Sequence, residues 1–173
     1  MGKTRRKTRK NKSRKIQHHH LLLRLEIQNM PGKEDKEKLS HLVEQIIQDI
    51  HMKSLSKPHV YYVNYPKYNE GITGIAVIET SHIAFHFWKN PDRKILHTKS
   101  SKYLLELDIY TCGTLSQKNV GSVLHHLTQF KPTYADITML NRNTGLTIER
   151  HMHWSSENHP LSWAQWLETS AFH

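Results

Sequence analysis

Two histidines and a cysteine in the middle of the chain have side chains that are suited to chemistry: His82, His86 and Cys112. Histidine is the side chain whose proton affinity lies nearest neutral pH, and a cysteine is reactive as its thiolate. A single cysteine is more often a small buried residue than a reactive thiol, and the nearby His82 and His86 could equally be hydrogen-bonded residues of an ordinary sheet. These groups therefore need a fold that brings them together.

The segments 82–88 and 103–111 each alternate as half-buried strands do, with one apolar face and one face that bears titratable groups. The titratable faces of the two strands carry His82, His86, Glu106, Asp108 and, if the second strand continues, Cys112. A sheet surface with such groups is a candidate reactive surface. The histidine pairs at 125–126 and 151–153 lack the spacing of a zinc motif, so the sequence predicts no metal site.

The elements that must position these residues follow from hydrophobic periodicity. Helices are predicted over residues 34–52 and from Ser116, a plausible N-cap, to a point before Pro132. Strands are predicted at residues 21–27, 60–65, 72–78, 82–88, 103–111, 136–140 and 146–150. Residues 89–101 contain Pro91 and predict an extended hairpin loop. This order predicts an α/β (α+β) two-layer sandwich, a mainly antiparallel sheet with helices on one face and the other face free.

The distribution of charge predicts three regions. The chain has 25 Lys and Arg against 15 Asp and Glu, and the excess lies in residues 1–17, which contain no acidic residue. We expect a disordered basic tail at 1–17, a folded domain at 18–151, and an extension at 152–173 in which Trp163 and Trp166 belong to a short docked helix. Only this tail is basic enough to contact nucleic acid or another polyanion. The alternative roles for the tail are a solvated extension without a partner and a nuclear-targeting signal.

The cellular setting follows from what the sequence lacks. No apolar run is long enough to cross a membrane, and the beginning of the chain does not resemble a secretory signal. Cys112 is the only cysteine, so an intrachain disulfide is excluded and a reducing compartment is suitable. We therefore expect a soluble cytoplasmic protein without a membrane partner.

Two motifs resemble a known family. Residues 71–88, GITGIAVIETSHIAFHFW, are similar to the processing region of short, prokaryotic-type S-adenosylmethionine decarboxylases, and residues 107–113, LDIYTCG, are similar to their second signature. The similarity in element order extends from about residue 21 to the second hairpin. It implies an S-adenosylmethionine decarboxylase-like fold and a homodimer whose active site is built on the exposed sheet face.

The resemblance also implies a cofactor and roles for individual residues. Cleavage between Thr80 and Ser81 would convert Ser81 into a pyruvoyl group, the cofactor that holds the substrate amine as a Schiff base and withdraws electrons when carbon dioxide leaves. His86 matches the processing base and Thr73 a residue that supports processing. Cys112 matches the residue that returns a proton to the substrate. Thr80 stands where Glu is common, which indicates slower or differently controlled cleavage.

The substrate-binding positions match the family less well. Trp88 corresponds to a residue that sandwiches adenine, with Tyr65 or Tyr68 as its opposite partner and Asp92 in place of a ribose-binding Glu. The predicted activity is the conversion of S-adenosylmethionine to its decarboxylated form for spermidine synthesis. The alternatives are a pyruvoyl-dependent ornithine or arginine decarboxylase of the same family, acting on another small amino-acid substrate, and an unprocessed binding or regulatory homologue.

Overall fold

The computed structural model describes residues 17–65 and 69–170, and within them one antiparallel sheet contains seven strands in the order β2-β3-β4-β5-β1-β6-β7. The strands are β1 His19–Ile27, β2 His59–Tyr65, β3 Asn69–Ile78, β4 Ser81–Trp88, β5 Tyr103–Thr111, β6 Pro132–Asn141 and β7 Thr147–Ser155. The first strand of the chain lies in the middle of the sheet, where it pairs with β5 and β6.

Three α-helices cover one face of this sheet: α1 Lys36–Asp49, α2 Gln117–Leu127 and α3 Trp163–Thr169. In each helix the apolar residues recur at three-and-four spacing and are buried, as the periodicity of the sequence predicts. Ser116 is the N-cap of α2, and its hydroxyl oxygen accepts from the Asn119 amide over 3.2 Å. The α2 helix ends before Pro132, as predicted.

The hydrophobic core lies between the helices and one face of the sheet. Ile83, Phe85 and Phe87 of β4 point into it and are almost inaccessible, while their neighbours on the other face are half-buried. The opposite sheet face, which we call the open face, carries no α-helix among the described residues. The predicted fold class, an α+β sandwich with helices on one face, is confirmed.

Several elements are longer than the sequence indicated. β1 begins at His19, because its first residues pair with Thr111 of β5 and Asn141 of β6. β6 begins at Pro132 and β7 ends at Ser155, since the two strands stay paired over their whole length and not only beside the turn.

The C-terminal segment packs against the body through aromatic rings. β7 passes through residue 151, where the end of the domain was predicted, and its Trp154 ring lies 5.3 Å from that of Trp163 on α3. The short docked helix is therefore present. The domain limits stay predictions, and residues 1–16 of the predicted tail lie outside the described residues.

Candidate active site

The turn between β3 and β4 contains the peptide bond for which cleavage is predicted. β3 ends at Ile78 and β4 begins at Ser81, so the chain reverses within two residues. Ser81 has a φ of 148°, a positive value that is uncommon for a residue with a side chain. Strain of this kind costs about 1–3 kcal/mol and persists only where surrounding contacts enforce it. The bond before Ser81 thus lies in a strained, half-buried turn.

Thr80 is held by residues at the end of β5 and directly after it. The Cys112 amide donates a hydrogen bond to the Thr80 carbonyl oxygen over 2.9 Å. The Thr111 hydroxyl donates to the Thr80 hydroxyl oxygen over 3.0 Å, and the Gly113 amide donates to the Thr111 hydroxyl oxygen over 2.8 Å. A backbone donor aimed at a carbonyl oxygen stabilises the negative charge that develops when a nucleophile attacks the carbon. Cys112 therefore lies beside the predicted cleavage site.

The Ser81 hydroxyl contacts His82, a histidine for which no catalytic role was predicted. Ser81 Oγ lies 3.1 Å from His82 Nδ1, and His82 Nε2 lies 3.3 Å from Asp108 Oδ2. His82 and Asp108 both lie on the sheet face that was predicted to bear titratable groups, and in the structure this is the open face. Nothing in the sequence connects the two residues, because the β4–β5 register that makes Ala84 the partner of Asp108 is set only in the fold. The one available signal was the position of His82 directly after Ser81.

A second group of predicted residues lies further along β4. Thr73 on β3 is the cross-strand partner of His86, and the His86 ring lies 4.0 Å from the ring of Trp88. His86 Nε2 is buried and has no hydrogen-bond partner among the described residues. Burial lowers the pKa of His86 below its usual value of 6.5, so its ring is neutral and able to accept a proton at neutral pH.

The two groups do not meet within one copy of the chain. Ser81 and His86 are five residues apart on the extended strand β4, which corresponds to roughly 16 Å at about 3.3 Å per residue. A proton transfer needs the two groups within hydrogen-bond reach, directly or through one water molecule. His86 therefore cannot serve Ser81 of the same copy in this arrangement, whereas Cys112 and Thr80 are already in contact.

These observations agree with a comparison against protein families, in which the model of the S-adenosylmethionine decarboxylase family matches residues 20–143, most of the chain. The chain belongs to the S-adenosylmethionine decarboxylase family. The match contains both motifs and extends from β1 into the turn between β6 and β7.

Two archaeal relatives of the family are similar in sequence. The S-adenosylmethionine decarboxylase proenzyme of Picrophilus torridus is 31% identical over 109 residues, which cover 62% of this chain and 70% of the relative. That of Thermococcus kodakarensis is 32% identical over 72 residues, 42% of each chain. Among solved structures, a phage SAM lyase in complex with S-methyl-5'-thioadenosine aligns with a TM-score of 0.36 and 8% identity, covering 88% of this chain and 99% of the lyase.

In this member of the family, the residues predicted to bind the nucleoside lie apart from the cleavage turn. Trp88 is half-buried at the end of β4, and Tyr65 ends the edge strand β2 with 69% of its surface exposed. Asp92 is exposed beyond β4, and its carboxylate accepts from the Lys94 amide over 2.9 Å. Tyr68 lies outside the described residues. The structure brings Trp88 next to His86 but does not bring Asp92 into contact with either.

Two cavities accompany the two groups of residues. A concavity of about 630 Å³ on the open face is lined by Thr73, His86, Trp88 and Asp108, among others. A second cavity of about 860 Å³ lies at the end of the sheet and is lined by Thr80 and Cys112, among others. Each is large enough for a small molecule.

Among residues 17–65 and 69–170, no group of three or more His, Cys, Asp or Glu side chains is arranged to hold a metal ion. Over the same residues, no helix has the length and apolar character to span a bilayer.

Proposed function

We propose that this chain is a self-processing, pyruvoyl-dependent S-adenosylmethionine decarboxylase. The observation that carries the proposal is the placement of the Thr80–Ser81 bond, in a strained turn with its carbonyl oxygen bound by the Cys112 amide. The names of the two relatives, both decarboxylase proenzymes, support the same activity and favour S-adenosylmethionine over ornithine or arginine.

The turn is suited to making the cofactor from the chain itself. Ser81 Oγ attacks the Thr80 carbonyl carbon, the peptide C–N bond breaks, and the chain is joined through an ester with a free amine on Ser81. Loss of the Ser81 α-proton then expels the Thr80 carboxylate, and water replaces the nitrogen as ammonia to leave a ketone. A serine is required because its oxygen is first the nucleophile and then the leaving group.

The parts of the site fit a pyruvoyl group at position 81. Such a group supplies a ketone that draws electrons from an amino acid as carbon dioxide is lost. Cys112 lies beside the turn with its half-buried side chain and returns a proton to the substrate α-carbon. Trp88 and Tyr65 bind the adenine ring from either side, because flat aromatic faces stack on a base. Tyr68 is the alternative to Tyr65 on the second face of the adenine ring, and Asp92 binds the ribose.

The separation of His86 from Ser81 favours an active site shared between two copies. The open face exposes apolar side chains, and exposed apolar area on a sheet indicates an interaction surface. Leu22, Ile75 and Val77 are examples, each about 40% exposed. In the proposed assembly, the open faces of two copies pair so that His86 and Thr73 of one copy lie near Ser81 of the other. The homodimer is the commonest symmetric assembly. Its two-fold symmetry creates two such shared sites, one at each Ser81.

Co-expression of two inactive variants tests the shared site. Ser81→Ala lacks the nucleophile and His86→Ala lacks the base that removes the Ser81 α-proton, so each alone stays a single chain. In mixed dimers, the Ser81 of one copy meets the His86 of the other, and about half of the His86→Ala chains are cut if the copies pair at random. An uncut mixture in which mixed dimers are demonstrated contradicts the shared site.

Release of carbon dioxide tests the activity. The purified wild-type chain releases labelled carbon dioxide from carboxyl-labelled S-adenosylmethionine and not from ornithine or arginine, and Ser81→Ala releases none. Release from ornithine or arginine alone would support the alternative decarboxylases. A single uncut chain without any release would support an unprocessed binding protein.

A further inference from the structure

The side chains of Ser81, His82 and Asp108 lie in a row, joined by a hydrogen bond from Ser81 to His82 and an ion-pair contact from His82 to Asp108. Ser81 Oγ lies 3.1 Å from His82 Nδ1, and His82 Nε2 lies 3.3 Å from Asp108 Oδ2. A hydroxyl, an imidazole and a carboxylate in this order are the parts that activate a serine nucleophile in unrelated enzymes. We propose that His82 is the base that takes the Ser81 proton in self-cleavage, with Asp108 as its positioning residue; this inference rests on the proposed function.

The charge of Asp108 favours one of the two neutral forms of the His82 ring. The carboxylate oxygen lies 3.3 Å from His82 Nε2, and a negative oxygen at this ion-pair distance favours an N–H over a lone pair on that nitrogen. The neutral ring then has its lone pair on Nδ1, which faces the Ser81 hydroxyl. The base thus points toward the nucleophile.

A second histidine holds Asp108 from its other side. His20 Nε2 lies 3.3 Å from Asp108 Oδ2, and His20 Nδ1 lies 3.4 Å from Arg142 Nη1. Arginine only donates, so His20 accepts at Nδ1 and donates to Asp108 through Nε2. The Tyr110 ring packs against both histidine rings, at 5.5 Å from His20 and 5.9 Å from His82. These contacts fix the carboxylate and leave His82 free to exchange a proton with Ser81.

In the proposed first step, one proton moves from the Ser81 hydroxyl to the Ser81 nitrogen through His82. His82 Nδ1 takes the Ser81 Oγ proton as Oγ forms a bond to the Thr80 carbonyl carbon. The Cys112 amide stabilises the negative oxygen, and Asp108 stabilises the charged imidazole. When the C–N bond breaks, the same proton passes from His82 to the Ser81 nitrogen. No other reactant is needed, and removal of the α-proton remains a separate task for His86.

Because His82 follows Ser81 in the same chain, the first step does not require a second copy. The ester therefore forms without His86 and accumulates when His86 is absent. Hydroxylamine cuts an ester far faster than a peptide bond, so it reveals the ester as two fragments. This separates the roles of the two histidines.

The test compares the rate of cleavage in freshly refolded chains that carry His82→Ala or His151→Ala. His151 is a matched control, since it forms the same kind of pair on the open face, 2.7 Å from Asp136, with no role in the proposal. A lost general base slows a reaction about 100-fold to 10,000-fold, so we expect at least about 100-fold slower cleavage for His82→Ala and no change for His151→Ala. Added imidazole restores part of the rate to His82→Ala.

Hydroxylamine provides a second measurement that is independent of complete processing. It cuts the His86→Ala chain at position 80, and it does not cut the His82→Ala/His86→Ala chain. Cleavage of His82→Ala at the wild-type rate, or equal cutting of the two chains by hydroxylamine, overturns the proposal. An uncut wild-type chain refutes the proposed function instead.

The role of Asp108 is tested by rescue. Asp108→Ala slows cleavage and imidazole does not restore it, while Asp108→Glu, which keeps a carboxylate, recovers most of the rate. A purely structural role predicts that Asp108→Glu and Asp108→Ala are equally slow in chains with the same melting temperature. That result removes Asp108 from the proposal.

Discussion

Replacing Glu26 by Gln is expected to loosen the loop that follows β4. Glu26 on β1 points to the open face yet has no exposed surface, because residues 89–101 fold over it. Its carboxylate accepts hydrogen bonds from Ser101 Oγ at 2.6 Å, the His97 amide at 2.7 Å, the Thr98 amide at 3.2 Å and Arg24 Nη1 at 3.0 Å. The side chain thus ties a long loop to a central strand.

The magnitude follows from the pKa of Glu26. Burial raises this pKa, but the hydrogen bonds from Ser101, His97 and Arg24 outweigh burial and lower it from 4.5 to about 2. A decrease of this size corresponds to about 3 kcal/mol of folding free energy. Because the pKa is lowered in the folded state, this contribution is complete above pH 4.5 and is lost as the pH falls toward 2.

Urea unfolding of the uncut Ser81→Ala chain, with and without Glu26→Gln, measures the effect. At pH 7 we expect Glu26→Gln to lower the free energy of unfolding by about 3 kcal/mol, with most of the difference lost by pH 2. Glu37→Gln, at an exposed ion pair with Lys57, is the control and should change stability little. A difference that is absent at pH 7, or one that stays constant down to pH 2, would refute the reasoning.

Three further outcomes concern the active site. Cys112→Ala is expected to process normally but to turn over at least about 100-fold more slowly, because a lost general acid costs about 100-fold or more; normal turnover in a steady-state assay would remove this role. Thr73→Ala should slow cleavage while Thr73→Ser retains it, as followed by gel electrophoresis, and equal rates would show that the hydroxyl is not used. Trp88→Ala should raise the KM for S-adenosylmethionine by about 5-fold to 150-fold without preventing cleavage, since stacking on a base contributes about 1–3 kcal/mol, and an unchanged KM would place the adenine elsewhere.

Local patterns were enough to predict the faces of the strands. The alternation in β4 and β5 correctly separated the core residues from His82, His86 and Asp108, because the side-chain period of a strand is two. The periodicity of α1 and the capping Ser116 were equally readable. Packing of an apolar helix face against an apolar strand face then leaves one sheet face free.

Contacts between distant segments were not predictable in the same way. The Cys112 amide reaches the Thr80 carbonyl, and Asp108 reaches His82, only because β4 and β5 pair in one particular register. A shift by one residue would move each side chain to the other face. The burial of Glu26 depends on the course of the loop above it, which polar loop residues do not reveal.

The separation of His86 from Ser81 shows that residues close in the sequence can be far apart in the fold. The motif alone brings the two residues within five positions of each other, which suggests direct contact. An extended strand converts those five positions into roughly 16 Å, and this distance is the reason to expect a second copy at the site.

The most direct test is the mass of the purified full-length chain together with its reactivity toward hydrazine. The account predicts two polypeptides, residues 1–80 and residues 81–173, and a ketone at the beginning of the second that forms a hydrazone. A single intact polypeptide of 20.4 kDa with no reactive carbonyl would contradict it.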